Sequence, residues 1–218
     1  MGLYVPDLKF AVEFNGVYWH SEAGGKNKTY HYDKWLACKN LGIQLVQVWE
    51  DDWVRNPELV KRMITHKLGL SGDRKVFART ASLHFLELGE VDSFLNDNHI
   101  QGTVVGSIRV GLKDSNGTLV AVMVLKNLPN SSGLNLLRFA TSCNVPGGFT
   151  KLLKHVEKVY EPEQVVTFSD HMVSDGGLYS QNGFVADKVL QPDYSYLIKG
   201  QREHKFGYRL KRFQNDPN

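Results

Sequence analysis

Residues 9–22 bring a carboxylate, an amide and an imidazole within eight positions of one another, at Glu13, Asn15 and His20. The run Phe10-Ala-Val-Glu-Phe-Asn is strand-like and turns at Gly16 into Val17-Tyr18-Trp19, which delivers the histidine. Strand residues two apart point the same way, so Glu13 and Asn15 share one face while Val12 and Phe14 take the other. A buried strand has no structural use for a carboxylate, because burying one without a partner costs several kcal/mol or shifts its pKa. Such a trio suits a site that handles a metal ion or an activated water. The structural alternative is that Glu13 faces solvent from an edge strand and His20 caps a turn.

Elements must position these groups, and the chain has material for them. Its 218 residues suffice for one large domain or two small ones, and 42% hydrophobic content can bury a sizeable core. No apolar stretch approaches the roughly 18 residues that span a bilayer. The N-terminal Met-Gly-Leu-Tyr-Val-Pro-Asp lacks the basic start and apolar centre of a secretory signal. Cys38 and Cys143 lie far apart with no Cys-x-x-Cys spacing, which argues against a disulfide framework or a structural zinc site. A cytoplasmic protein without membrane association is expected. Composition leaves the oligomeric state open.

Net charge is only +3, but its distribution is uneven. Between Lys199 and Phe213 six basic residues (Lys199, Arg202, Lys205, Arg209, Lys211, Arg212) face one acid, Glu203, with Phe206, Tyr208 and Phe213 interleaved. Cations neutralise phosphates and aromatic rings stack on bases, so this segment is a candidate contact for double-stranded DNA. A C-terminal strand with a solvated basic face would have the same composition.

Leu3–Val5 and Phe10–Phe14 read as a hairpin around Pro6-Asp7-Leu8-Lys9. A helix is expected over His31–Leu41, ended by Gly42, then a strand over Ile43–Trp49 that finishes in Glu50-Asp51-Asp52-Trp53. Asn56 caps a helix whose first residue is Pro57. The glycine-containing stretch from Leu70 to Asp73 is the expected boundary, giving segments 1–70 and 73–218. In the second segment the pattern predicts a helix over His84–Asn98 and strands over Ser107–Leu112, Thr118–Leu125 and Asn135–Ala140. A helix from Gly148 follows, with Phe149, Leu152, Leu153, Val156 and Val159 on one face. Strands are then expected over Val165–Ser169, Phe184–Leu190 and Tyr194–Ile198, with a short helix over Gly177–Asn182.

Three strings carry a resemblance: Gly16-Val17-Tyr18-Trp19-His20, Cys38-Lys39-Asn40-Leu41-Gly42, and Ile43-Gln44-Leu45-Val46-Gln47-Val48-Trp49-Glu50. Residues 2–53 resemble the very-short-patch-repair endonucleases and their phage-encoded homing relatives within the PD-(D/E)XK superfamily. The resemblance implies an α/β fold with a small mixed-sheet nuclease core that hydrolyses duplex DNA with Mg2+ or Mn2+. By position it places Glu13, the Phe14 carbonyl and Glu50 at the metal, and Asn15 in the metal and water region. His20 becomes a proton carrier or phosphate contact, with His31 and Lys34 as further catalytic candidates. One position departs from the pattern. The family has a metal-binding aspartate eighteen residues before the Trp-His histidine, and here that residue is Gly2.

The segment after residue 73 resembles the C-terminal region of phage homing-type nucleases and, more distantly, the GNAT acetyltransferases. The residues concerned are Pro146–Leu153 and Gly177–Phe184. That resemblance implies a GNAT-like α/β domain, in which a glycine loop opening a helix offers N–H groups to a coenzyme A pyrophosphate. Phe149 stands where a small residue is the rule, and a plain helix start with turn glycines is the simpler account. An orienting role on DNA, using the basic tail with Arg138, Lys151 and Lys154, is the expected use. Three functions stand open: a homing-type DNA endonuclease, a DNA-binding protein with a decayed nuclease site, and an acyl-coenzyme A transferase. His171 beside Asp170, ahead of Ser174-Asp175, is either catalytic or part of a polar loop.

Overall fold

In the computed structural model of the chain, residues 2–19, 24–70, 72 and 74–208 are described. Strand β1 (Gly2–Val5) pairs antiparallel with β2 (Phe10–Asn15), in a register running from Gly2↔Glu13 to Val5↔Phe10. Pro6 opens the 3-10 turn between them, where its fixed φ fits. Lys9 closes it in the left-handed region at φ 46°, its N–H donating to Pro6 O at 3.0 Å. Helix α1 (Tyr30–Asn40) then carries the chain back to β3 (Gln44–Trp49), which lies parallel to β2. A parallel pair requires such a crossover. Gly42, at φ 68°, makes the exit from α1.

Helix α2 (Glu50–Arg55) follows β3 without a loop. Glu50, Asp51 and Asp52, expected to end the strand, form the first turn of this helix instead. Carboxylates are stabilised there by the helix dipole, so the acidic run starts a helix as readily as it ends a strand. In α3 (Pro57–Lys67) the Asn56 side chain accepts the Leu59 N–H at 3.0 Å, the cap expected from sequence.

Strand β4 (Ser82–Phe85) precedes helix α4 (Leu88–Asn98). The helix expected from His84 thus starts four residues later. A capping box between Glu87 and Glu90 sets its beginning and leaves Ser-Leu-His-Phe to the sheet. Strands β5 (Ile108–Lys113), β6 (Leu119–Asn127) and β7 (Leu134–Thr141) form an antiparallel meander. Helix α5 (Gly148–Tyr160) crosses to β8 (Val165–Thr167), parallel to β7, completing the order β4-β5-β6-β7-β8. Val91, Leu95, Val122 and Val124 are fully buried in the core between α4 and this sheet. On α5, Phe149, Leu152, Leu153 and Val156 are buried as the periodicity requires, but Val159 is 49% exposed.

Helix α6 (Gly177–Ser180) and the antiparallel pair β9 (Ser195–Ile198) and β10 (Gln201–His204) follow, and a 3-10 turn over Lys205–Tyr208 ends the described residues. Lys199 and Gly200, at φ 50° and 80°, make the two-residue turn of that hairpin. The strand expected over Phe184–Leu190 does not form. Its alternating residues face solvent, with Val185 89% exposed, and no neighbouring strand takes up its hydrogen bonds among the described residues.

The architecture is α/β with mixed sheets. Contacts divide the chain into two compact units, Met1–Val60 with Ser169–Asn218, and Lys61–Phe168. The boundary expected near residue 70 assigns the whole tail to the second segment; the contacts group the described residues from Ser169 with the first sixty. Two bonds explain the grouping. The Gln47 N–H on β3 donates to Met172 O at 2.7 Å, and the Trp49 indole N–H donates to Met172 Sδ at 3.0 Å. Among the described residues, no helix is long and apolar enough to cross a membrane.

Candidate active site

β2 is inverted with respect to hydrophobicity. Glu13 and Asn15 are 3% and 0% exposed, while Phe14 between them is 42% exposed. The hydrophobic effect alone would favour the opposite arrangement. What makes the burial tolerable is a set of polar neighbours drawn from α1 and β3. Parallel pairing puts Gln47 level with Glu13 and Trp49 level with Asn15. From α1, Lys34 places Nζ 2.5 Å from Glu13 Oε1. The carboxylate side chain is 4% exposed and the lysine 41%, so the ammonium reaches the acid from the solvent side.

The second cluster is built on Gln47, itself 2% exposed. Its Oε1 lies 2.8 Å from His31 Nδ1 and 3.3 Å from Asn15 Nδ2, and its Nε2 donates to the His31 carbonyl at 3.1 Å. The His31 ring also packs against Trp49, with centroids 4.8 Å apart. Two acceptor oxygens of β2 are left over. Glu13 Oε2 and Asn15 Oδ1 are both buried, and no donor among the described residues reaches either. Buried acceptors left in that state cost free energy unless a cation, a water or a ligand donor meets them.

Of the residues expected at the site, Glu13, Asn15, His31 and Lys34 are therefore brought together, with the Phe14 carbonyl in the strand between the first two. Glu50 Oε2 accepts the Val17 N–H at 3.0 Å and holds the turn after β2. His20 lies outside the described residues, as do Arg209, Lys211 and Arg212. Among the described residues, no group of three or more His, Cys, Asp or Glu side chains is placed to hold a metal ion. Gln47 was not anticipated. Its only signal was an amide in the middle of an otherwise apolar strand, Leu45-Val-Gln-Val-Trp49.

Position 2 bears directly on this geometry. Gly2 is the cross-strand partner of Glu13, so a side chain there would lie beside that carboxylate. A Cβ on Gly2 would meet only Val12 O, at an ordinary 3.5 Å.

The basic tail is partly neutralised within its own unit. The Arg202 Nε donates to both Asp51 carboxylate oxygens at 2.9 Å, its Nη2 to Asp52 at 2.6 Å, and its guanidinium lies 4.6 Å from the Trp49 ring centre. Burial raises the Asp52 pKa, with Arg202 pulling the other way. Lys205 pairs with Asp193 at 2.5 Å, and Lys199 is exposed at the β9–β10 turn. His171 stacks on Trp35 at 4.0 Å, while Asp170 Oδ1 accepts the Met172 N–H at 2.9 Å. Burial, then the charge of Lys39, lowers the His171 pKa, with Asp170 opposing them.

In the second unit, Gly147 at φ 77° opens α5, but the Gly148 N–H donates to Val145 O at 3.0 Å and so is not offered to a ligand. Phe149 is buried, its ring edge-on to Phe139 at 5.1 Å, so its bulk goes to the core rather than the loop. Lys151 is bound by the carbonyls of Ala78 and Ala81 at 2.8 and 2.6 Å, and Arg138 donates to Leu137 O at 2.8 Å.

No protein-family model matches the chain, and no curated protein matches it. Among solved structures, the crystal structure of a Trypanosoma brucei acetyltransferase is similar at 12% identity, covering 50% of this chain and 96% of that one, with a TM-score of 0.32. So loose a superposition carries no argument about fold or chemistry.

Proposed function

We propose that the chain is a metal-dependent endonuclease of homing type acting on duplex DNA, with a PD-(D/E)XK-like core in its first unit. The observation that carries the proposal is the pair of buried acceptor oxygens, Glu13 Oε2 and Asn15 Oδ1, adjacent on one face of β2 with no donor among the described residues. Hard oxygen donors of this kind fit Mg2+ or Mn2+, which keep several waters and need only one or two carboxylates. When bound, such an ion supplies charge to polarise a phosphoryl oxygen and to acidify a water.

The chain's own residues do the remainder. Glu13 and Asn15 hold the cation position, and Lys34, half exposed beside Glu13, is placed to steady a phosphate. His31 contributes a ring nitrogen on the same side. The Arg202 hairpin, with Lys199 exposed at its turn, lies in the same unit and offers a surface for the DNA backbone. We read residues 73–218 as GNAT-like and as serving to orient the target rather than to bind a coenzyme, since the loop before α5 keeps the Gly148 N–H for itself.

Incubation with supercoiled plasmid and intergenic DNA in Mg2+ and in Mn2+, alongside Glu13→Ala and His20→Ala, tests the proposal. Nicking or linearisation by the wild type and its loss in the variants is the expected outcome. Failure to cut any substrate in either metal defeats the catalytic claim.

A second reading, a DNA-binding protein with a decayed nuclease site, is favoured by Gly2 standing opposite Glu13. It predicts salt-dependent gel shifts without cleavage. Gly2→Asp has room for its Cβ and sets a second carboxylate on the residue paired with Glu13; cutting that appears only in this variant would support decay.

A further inference from the structure

We propose that Gln47 is a positioning residue that locks His31 in the Nδ1–H tautomer, so that Nε2 is its acceptor nitrogen. The inference deepens the endonuclease reading and rests on it for its functional meaning, but the proton assignment follows from the hydrogen bonds alone. Gln47 Nε2 faces the His31 carbonyl at 3.1 Å, and a carbonyl can only accept. That fixes the amide, and Oε1 must be the atom 2.8 Å from His31 Nδ1. An amide oxygen also only accepts, so Nδ1 must carry the proton.

The alternatives fail on distance. With the Gln47 amide reversed, its oxygen would face the His31 carbonyl at 3.1 Å and its NH2 would face the Asn15 NH2 at 3.3 Å. With Nδ1 unprotonated, it would face Asn15 Nδ2 at 3.4 Å while opposing a second acceptor at 2.8 Å. One arrangement satisfies every pair: Nδ1–H and Asn15 Nδ2–H both donate to Gln47 Oε1. Asn15 Oδ1 is thereby turned away from Gln47, as the third member of the network.

The consequence is chemical. A neutral imidazole has one basic nitrogen, and the bond at the other decides which. Gln47 makes it Nε2, the ring atom farther from the α1 main chain. In the endonuclease reading that nitrogen accepts a proton from water or a hydrogen bond from a bound ligand. Gln47 touches neither and acts through the ring. The Trp49 ring, 4.8 Å from that of His31, limits rotation that would exchange the two nitrogens.

The test is the 15N spectrum of the imidazole ring in the whole chain at pH 8 without metal, His31 being assigned as the signal lost in His31→Gln. The wild type should show a protonated Nδ1 and a bare Nε2. Gln47→Glu, which keeps an acceptor at that place, should retain this pattern, and Gln47→Met should lose it. A wild-type ring protonated on Nε2 overturns the proposal, as does a Gln47→Met ring that keeps Nδ1–H. The wild-type and Gln47→Glu spectra decide even if Gln47→Met does not fold. Cleavage is not read, so an inactive protein with the Nδ1–H tautomer defeats only the endonuclease reading.

Discussion

Glu13 is the residue on which the local energetics turn. Its buried carboxylate is held by a lysine that is 41% exposed, so the two partners contribute unequally. Removing Lys34 leaves an uncompensated buried charge, whereas removing both charges leaves only a packing change. Lys34→Met should cost about 2 kcal/mol in urea denaturation, and adding Glu13→Gln should recover most of it. A cycle with no coupling would mean that the pair does not form in solution. His99 gives a second residue-level test, in the other unit. Burial, then the charge of Arg138, pushes its pKa from 6.5 down to about 4, and its Nδ1 accepts the Gln101 N–H at 3.1 Å. Between those two values the unfolded chain binds a proton that the folded chain does not, so stability falls as pH drops from 6.5 towards 4 and levels off below. The full loss is about 3 kcal/mol. Denaturation curves at pH 7.5, 5.5 and 4 should show that slope in the wild type and a flatter one in His99→Gln.

At the scale of elements, local chemistry was legible where a residue type has one structural meaning. Pro6 and Lys9 between two alternating runs mark the β1–β2 hairpin, and Asn56 before Pro57 marks the start of α3. Asn56→Ala should therefore lower stability by about 1 kcal/mol, seen as a reduced melting temperature, with no change in any binding property. An unchanged melting temperature would mean that the cap is not made. Where a residue type serves two structures, sequence could not choose. Glu50, Asp51 and Asp52 suit both a strand end and a helix start, and the helix dipole decides for α2. Phe184–Leu190 alternates like a strand but pairs with no strand among the described residues, and Val185 and Val189 stay exposed. The polar face of β2 was readable from Glu13 and Asn15 alone, but its depth was not. That depth comes from parallel pairing with β3, which also brings in Gln47, level with Glu13 although 34 positions away in sequence.

At the scale of the molecule, the unexpected feature is the return of the tail to the first unit. Composition suggests a basic surface in which Arg202 is one of six candidate contacts for DNA. Pairing with Asp51 and Asp52 and the face of Trp49 converts it into a tie between β10 and the start of α2. Nothing in the sequence pairs residues 151 positions apart, so only folding reveals it. Arg202→Ala removes the Asp51 cation and leaves Asp52 with Arg55 alone, and should cost on the order of 2 kcal/mol. It should also speed proteolysis around residues 195–204. Equal protease resistance in the variant would mean that the tie contributes nothing.

The cation position on β2 is the claim from which the function follows, and manganese-soaked crystals address it most directly. Anomalous difference density is predicted within coordination distance of Glu13 Oε2 and Asn15 Oδ1, and it should vanish in Glu13→Gln. A fully soaked crystal with no peak between those oxygens, or with its peak only at Asp51 and Asp52, would contradict the account.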